Sequence, residues 1–198
     1  VITKWRLLFD KISFGGLSPE KQKGLIGELL FFNYLILNGL TPGAVLDAWT
    51  GADFENKDFT FGSVGIEIKF TSSKNAKVNI SSERQLELQS LDKLYLILYT
   101  SEKVKDNGIS LNLIIEQIRS NLTLDSDKLN FNAILAFLGY HDDDKDHYGQ
   151  LYSIKKSYCY QIESNFPRII ESQLSLGLYD VSYSIELSAI EIFLRDFE

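Results

Sequence analysis

Apolar and polar positions along this chain change period several times, and the changes divide it into helices and strands. Residues 3–12 read as a short amphipathic helix. Ser18-Pro19-Glu20 is a helix start, with an N-cap hydroxyl, proline in the first turn and an acid beside it. That helix is predicted to run to about Asn38, with Gly39 as its stop. Thr41–Asp47 predicts one or two further helical turns, leading into a strand pair over 54–61 and 64–71. Lys77–Ile80 is a short strand, and the unbroken apolar run Leu94–Thr100 is typical of a buried central strand. Helical spacing returns over 109–121 and 129–139. Leu151–Glu163 and Leu178–Leu187 alternate as late strands, and Ser188 is placed to cap a last helix to Phe197. With no internal repeat and no linker, a single domain over residues 1–198 is the expectation.

The strand pair carries the candidate chemistry. Val64, Ile66, Ile68 and Phe70 fall on one face of its second strand, and Gly65, Glu67, Lys69 and Thr71 on the other. Gly62-Ser63 suits a two-residue turn with glycine first. That turn sets the register: Phe61 opposes Val64, Thr60 opposes Gly65, and Asp58 opposes Glu67. Opposed residues have Cβ atoms roughly 4.5–5.5 Å apart, where like charges repel. Acids facing each other there stand in bulk water or hold a cation between them. The flanking Phe59, Phe61, Ile66 and Ile68 predict a hairpin packed on one face, and Lys69 adds a positive group beside the acids. Such an arrangement suits a divalent metal on oxygen ligands, with a cation aimed at phosphate.

Charge and composition narrow the classes. The chain has 198 residues, 44% of them apolar, enough for one cored domain. No apolar run reaches membrane-spanning length, and no signal segment opens the chain, so a cytoplasmic protein without membrane attachment is expected. Cys159 is the only cysteine, which rules out an intramolecular disulfide. No methionine occurs, even at position 1, which predicts a fragment of a longer chain. The net charge of −7 argues against a general coat for polyanions. Locally, residues 69–93 carry five basic against three acidic side chains, so positive charge gathers beside the acids, where a phosphate needs it.

The run from Asp58 through Glu67-Ile68-Lys69 resembles the signature of the PD-(D/E)XK nuclease superfamily, which includes restriction endonucleases and Holliday-junction resolvases. Three further stretches are similar to members of that group. Gly24-Leu-Ile-Gly27-Glu28 places a glutamate on an upstream helix. Asn79–Gln85 supplies a strand and a polar helix after the lysine. Phe166-Pro-Arg-Ile169 and Asp180–Ser188 resemble a bacterial subfamily often found beside defence genes. Lys57-Asp58 stands where the superfamily writes Pro-Asp, and the ligand itself is kept.

The resemblance implies an α/β fold of the restriction-endonuclease type, a mixed sheet with helices on both faces. It implies Mg²⁺-dependent hydrolysis of DNA phosphodiester bonds in restriction or phage defence, with Mn²⁺ as a substitute metal. Asp58, Glu67, the Ile68 carbonyl and Glu28 are then the metal ligands. Lys69 acts on the nucleophile and phosphate, and Gln85 on a water or phosphate. DNA is the expected partner, with defence-system proteins and a second copy of the chain as further candidates.

Blander readings stand beside these. Asp58 and Glu67 could be solvated acids of an exposed hairpin, and Gln85 ordinary helix-surface polarity. Glu28 has Leu25, Phe31 and Phe32 as helical neighbours, so a carboxylate there needs a partner. Gly24 and Gly27 each cost that helix about 1 kcal/mol relative to alanine, which points to a close backbone approach. Asp53 also falls within the tolerated spacing to Glu67, but the turn register carries it well past the pair. His141-Asp-Asp-Asp-Lys-Asp-His147 has a metal-binding composition and reads as a solvated loop. No Ser-His-Asp spacing or glycine-rich phosphate loop is present. The alternative function is a nuclease-fold module that binds DNA or a partner protein without cutting.

Overall fold

The computed structural model describes residues 16–50 and 57–196. The expected helix over 3–12, the rival acid Asp53 and the first residues of the 54–61 strand lie outside them. Two compact units are formed, each from two stretches of chain. One comprises the described residues of Val1–Asp47 and Lys103–Ser153, the other those of Ala48–Glu102 and Ile154–Glu198.

The helices of the first unit follow their start and stop signals. Helix α1 spans Pro19–Leu37, with Ser18 Oγ accepting from the Lys21 N–H and Pro19 in the first turn. Asn38 closes it by donating Nδ2–H to the Tyr34 carbonyl at 2.8 Å, and Gly39 takes φ +96°, the left-handed geometry of a helix stop. Helix α2 is Pro42–Ala48. The expected close approach at Gly24 is not found among the described residues: a Cβ built there meets none of them within 4 Å. Helix α3, Leu111–Asn121, starts on Ser110 and buries Leu111, Ile114, Ile115 and Ile118, the stripe that its spacing predicts. Helix α4, Asp125–Phe137, begins four residues before the expected 129. Asp125 and Asp127 form its first turn, where acids complement the helix dipole without any apolar periodicity.

The strands form a mixed sheet of five with a separate pair, so the class is α/β. Strand β1 is Phe59–Phe61, β2 Val64–Ser72, β3 Lys77–Ile80, β4 Lys93–Val104, β5 Leu151–Gln161, β6 Tyr183–Glu186 and β7 Leu194–Arg195. The main sheet has the order β1-β2-β4-β5-β7, while β3 and β6 pair with each other. The hairpin register is the expected one, with Thr60 opposite Gly65 and Phe61 opposite Val64. β2 and β4 run parallel, and Glu67 lies beside Leu96.

Two late elements differ from expectation. The strand read over 178–187 is confined to 183–186, because Gly177 and Asp180 take φ of +90° and +56° and break the extended chain. The expected last helix is instead two short 3₁₀ turns, Leu187–Ala189 and Glu191–Phe193, followed by β7 on the edge of β5. Ile190 and Phe193 are both buried, and their three-residue spacing is the repeat of a 3₁₀ turn. Both belong to the second unit's core, with Val78, Ile80, Leu86, Leu94, Leu96, Leu98, Tyr160, Ile162 and Phe166.

Candidate active site

Asp58 and Glu67 meet at the mouth of the hairpin. Asp58 stands one residue before β1, and its N–H donates to the Ile66 carbonyl at 3.0 Å, so the backbone ladder still holds it. Its side chain then replaces the next rung: Oδ2 accepts the Ile68 N–H at 2.6 Å. The Asp58 carboxylate therefore sits on the backbone of the residue that follows Glu67. In an extended strand a residue's N–H and C=O point to the same edge. The Ile68 carbonyl is thus directed to the edge occupied by the Asp58 carboxylate.

Glu67 lies on the opposite face of β2 from the one expected to be covered, yet it is only 2% exposed. Its face is shared with Leu94, Leu96 and Leu98 of the neighbouring strand, which belong to the core. The hairpin is packed on both faces rather than one, and Phe59 on the other face stacks on Trp49 at 6.1 Å between ring centroids. Burial, and then the nearby Asp58 charge, push the Glu67 carboxyl up to about 8. Asp58 is also raised by burial, against the opposing pull of Lys69, the Ile68 N–H and Lys57.

Lys69 supplies the closest positive charge. Its Nζ is 2.7 Å from Glu67 Oε1 and donates to Gln85 Oε1 at 2.9 Å. The Lys69 side chain is 16% exposed, more enclosed than a strand position with one wet face. Gln85 was expected on a polar helix; it stands instead in a turn, where its Oε1 also accepts the Ser81 N–H at 2.8 Å. The next residues explain why: Ser82 Oγ accepts the Arg84 N–H, a local bond that competes with a helix.

The segment 166–183 fastens this turn in place. Arg168 donates to the Leu86 carbonyl at 2.9 Å, Glu83 Oε2 accepts the Val181 N–H at 2.8 Å, and Arg84 pairs with Glu171 at 3.0 Å. Tyr183 opposes Ile80 just before the turn. The C-terminal stretches that resemble the bacterial subfamily therefore hold the turn that carries Gln85, the partner of Lys69. Sequence reasoning missed Glu83 and Arg168 as supports, since nothing in the spacing shows a turn 80 to 100 residues away. It also missed Lys57, which is 5% exposed and donates to the Arg84 carbonyl at 2.6 Å. The visible signal there was a charged residue in the place of proline.

Asp58, Glu67, Lys69 and Gln85 are thus brought together, all within the second unit. Glu28 lies half-buried on α1 of the first unit. Among the described residues, no three His, Cys, Asp or Glu side chains gather as a metal-ligand group. The donor set still fits a hard cation: a buried Glu67 raised by burial and by the charge of the half-buried Asp58 beside it, a backbone carbonyl aimed at them, and remaining positions for water or phosphate oxygens, as Mg²⁺ prefers.

A family model described as "Putative PD-(D/E)XK family member, (DUF4420)" matches residues 1–188. The chain belongs to the DUF4420 family. No curated protein and no solved structure matches it. Membership bears out the PD-(D/E)XK resemblance drawn from the hairpin motif, and makes the DUF4420 fold nuclease-like. No helix among the described residues of this DUF4420 chain is long and apolar enough to cross a membrane.

Proposed function

We propose that this chain is a Mg²⁺-dependent DNA endonuclease of restriction or phage defence, with Asp58, Glu67 and the Ile68 carbonyl as the metal ligands. The observation that supports it most is a buried Glu67 beside the half-buried Asp58, with a lysine 2.7 Å from Glu67. A chain keeps two like charges out of water at close range only where a cation or a proton relieves them. A bound Mg²⁺, or Mn²⁺ in its place, would offset charge on a phosphate oxygen and acidify water for attack.

The protein's own groups do the rest. Asp58 is held in orientation by the Ile68 N–H, and Glu67 by Lys69. Lys69, steadied by Gln85, presents its ammonium where negative charge grows on the phosphate, the kind of preorganised stabilisation that favours the transition state. Gln85 keeps its amide N–H donors for a phosphate or water, since its Oε1 is committed to Lys69 and Ser81.

A second reading draws on the same contacts. Lys69 is enclosed between Glu67 and Gln85, so the site is partly neutralised from within, as in a module that binds DNA or a partner without cutting. Supercoiled and linear DNA incubated with Mg²⁺ or Mn²⁺ separate the two. Cleavage by the wild type and its loss in Asp58→Ala support the nuclease. Retention of DNA in a shift assay, with no cleavage of any DNA form, supports the binding module.

A further inference from the structure

A cleft of about 230 Å³ opens in the second unit between the hairpin turn and the turn before β4, lined by Thr60, Gly62, Gln89, Ser90, Leu91 and the Lys57 stem. Its floor lies over Gly65. A Cβ built there would stand 2.5 Å from Leu91 Cδ1 and 3.4 Å from Lys57 Cγ, so a side chain at this position would push Leu91 out of the wall. Gly65 shares its face of β2 with Glu67, two residues and roughly 7 Å further along the strand. The cleft therefore adjoins the candidate active site on the same face.

Its lining is neutral. The Lys57 amine is drawn away to the Arg84 carbonyl at 2.6 Å, and the hydroxyl of Ser63 at the rim donates to Asp92 at 2.6 Å. What remains is the Gln89 amide, the hydroxyls of Thr60 and Ser90, and the apolar Leu91. A phosphate would find no free cation there, and an aliphatic group would leave the amide unpaired. An uncharged flat ring with donors and acceptors on its edge satisfies both demands. The volume equals that of about seven waters at roughly 30 Å³ each, the room of a single purine or pyrimidine. Gln89 adds an independent observation. It holds φ +50°, a left-handed conformation that glycine takes without strain and other residues adopt at a cost, as at ligand clamps. Gln89 and Ser90 are exposed, and their side chains bond to no described residue. Nothing among the described residues accounts for an amide kept in that place.

We propose that the cleft receives one base of the bound DNA, turned out of the stack beside the scissile phosphate, and that Gln89 reads its edge. This rests on the reading of Asp58 and Glu67 as a DNA-cutting site. An amide presents a donor and an acceptor side by side, the match for adenine, which makes adenine the expected base. Gln89 determines specificity and takes no part in the chemistry.

Duplexes carrying the fluorescent adenine analogue 2-aminopurine at successive positions test it, in chelator so that no metal-dependent cut occurs. Wild type is expected to raise the fluorescence several-fold, because the analogue brightens when it leaves the stack. A mismatch opposite the analogue should tighten binding about tenfold, since a mispaired base turns out more easily. Ser90→Trp fills the cleft, and is expected to take up Mg²⁺ as wild type does while losing both the rise and the mismatch preference. Bound DNA without a rise at any position, or a rise unchanged in Ser90→Trp, overturns the proposal.

Gln89→Gly supplies a second arm and decides alone should Ser90→Trp not fold. Its Tm should equal or exceed that of wild type, because glycine accepts the backbone angle. Its preference for adenine over the other three bases, compared on mismatched duplexes, should fall from about tenfold to none. An unchanged preference overturns the inference alone. A wild type that binds no DNA overturns the reading of the acid pair as a DNA-cutting site as well.

Discussion

Two clusters of acids in this protein have similar composition and opposite electrostatics. In the first unit, the run His141–His147 carries four aspartates, yet Arg119 grips Asp142 with both Nη atoms, at 2.9 and 3.1 Å. Lys145 adds a contact at 3.2 Å to Asp142 and another at 3.3 Å to Glu116. Asp142 is 51% exposed, and these donors, Arg119 above all, hold its carboxyl down at about 2. In the second unit, Glu67 has a lysine just as close, yet its carboxyl rises to about 8. Burial decides the difference. A surface acid among cations is satisfied and has no need of a metal; an enclosed acid facing another acid is left short of positive charge. Density of Asp and His in a sequence is therefore a poorer guide to an acid left short of positive charge than two acids set opposite each other on packed strands.

The largest effect that sharpens this contrast is catalytic. Lys69→Met keeps most of the side-chain volume and removes the charge, and plasmid cleavage is expected to fall on the order of 10²–10³-fold. Cleavage at the wild-type rate would take the lysine out of the mechanism and leave the second cluster no more functional than the first.

Next in size is a pH dependence of stability in metal-free buffer. A carboxyl raised in the folded state contributes stability that is fully present below 4.5, the ordinary value, and is lost as the pH rises through about 8. Urea unfolding in chelator should show a loss on the order of 3–5 kcal/mol across that window. Glu67→Gln should abolish most of it and exceed the wild type in stability at pH 8. A wild-type profile flat from pH 5 to 8 would mean that Glu67 is compensated as fully as Asp142.

Asp142 has the opposite sign and a smaller size. Its depressed carboxyl contributes stability present above 3.8 and lost as the pH falls through about 2. Because the group is half exposed, solvent screening limits the effect, and Asp142→Asn should cost about 1 kcal/mol or less at neutral pH. A cost several times larger, read from the same urea transitions, would break the distinction between the clusters.

The smallest expected effect is none. Asp143→Asn combined with Asp146→Asn removes two exposed acids of the 141–147 run. Calorimetric uptake of Mg²⁺ or Mn²⁺ should be unchanged in that variant and weakened in Asp58→Ala. Weaker uptake in the double variant would make the loop a cation site after all.

Sequence alone determined those features that rest on neighbours along the chain. Ser18, Pro19 and Gly39 bound α1 because caps and stops act within a turn of the helix. Gly62-Ser63 sets the hairpin register because a two-residue turn leaves no other pairing, and that register brings Asp58 to the Glu67 side of β2. The acid pair, its lysine and the superfamily resemblance follow from this short stretch. Features that rest on distant chain were decided only by the tertiary structure. Whether the face bearing Glu67 was wet or dry depended on Leu94 and Leu96 beside it. Where the turn that carries Gln85, begun by the local Ser82 bond, is fastened depended on Arg168 and Val181, which tie it down. The last helix gave way to a strand because β5 offered an edge with free backbone groups. A carboxylate's charge costs little in water and much in a packed interior. Local pattern could therefore place Asp58 and Glu67 together, but only the packed fold around them could bury Glu67 and raise its carboxyl.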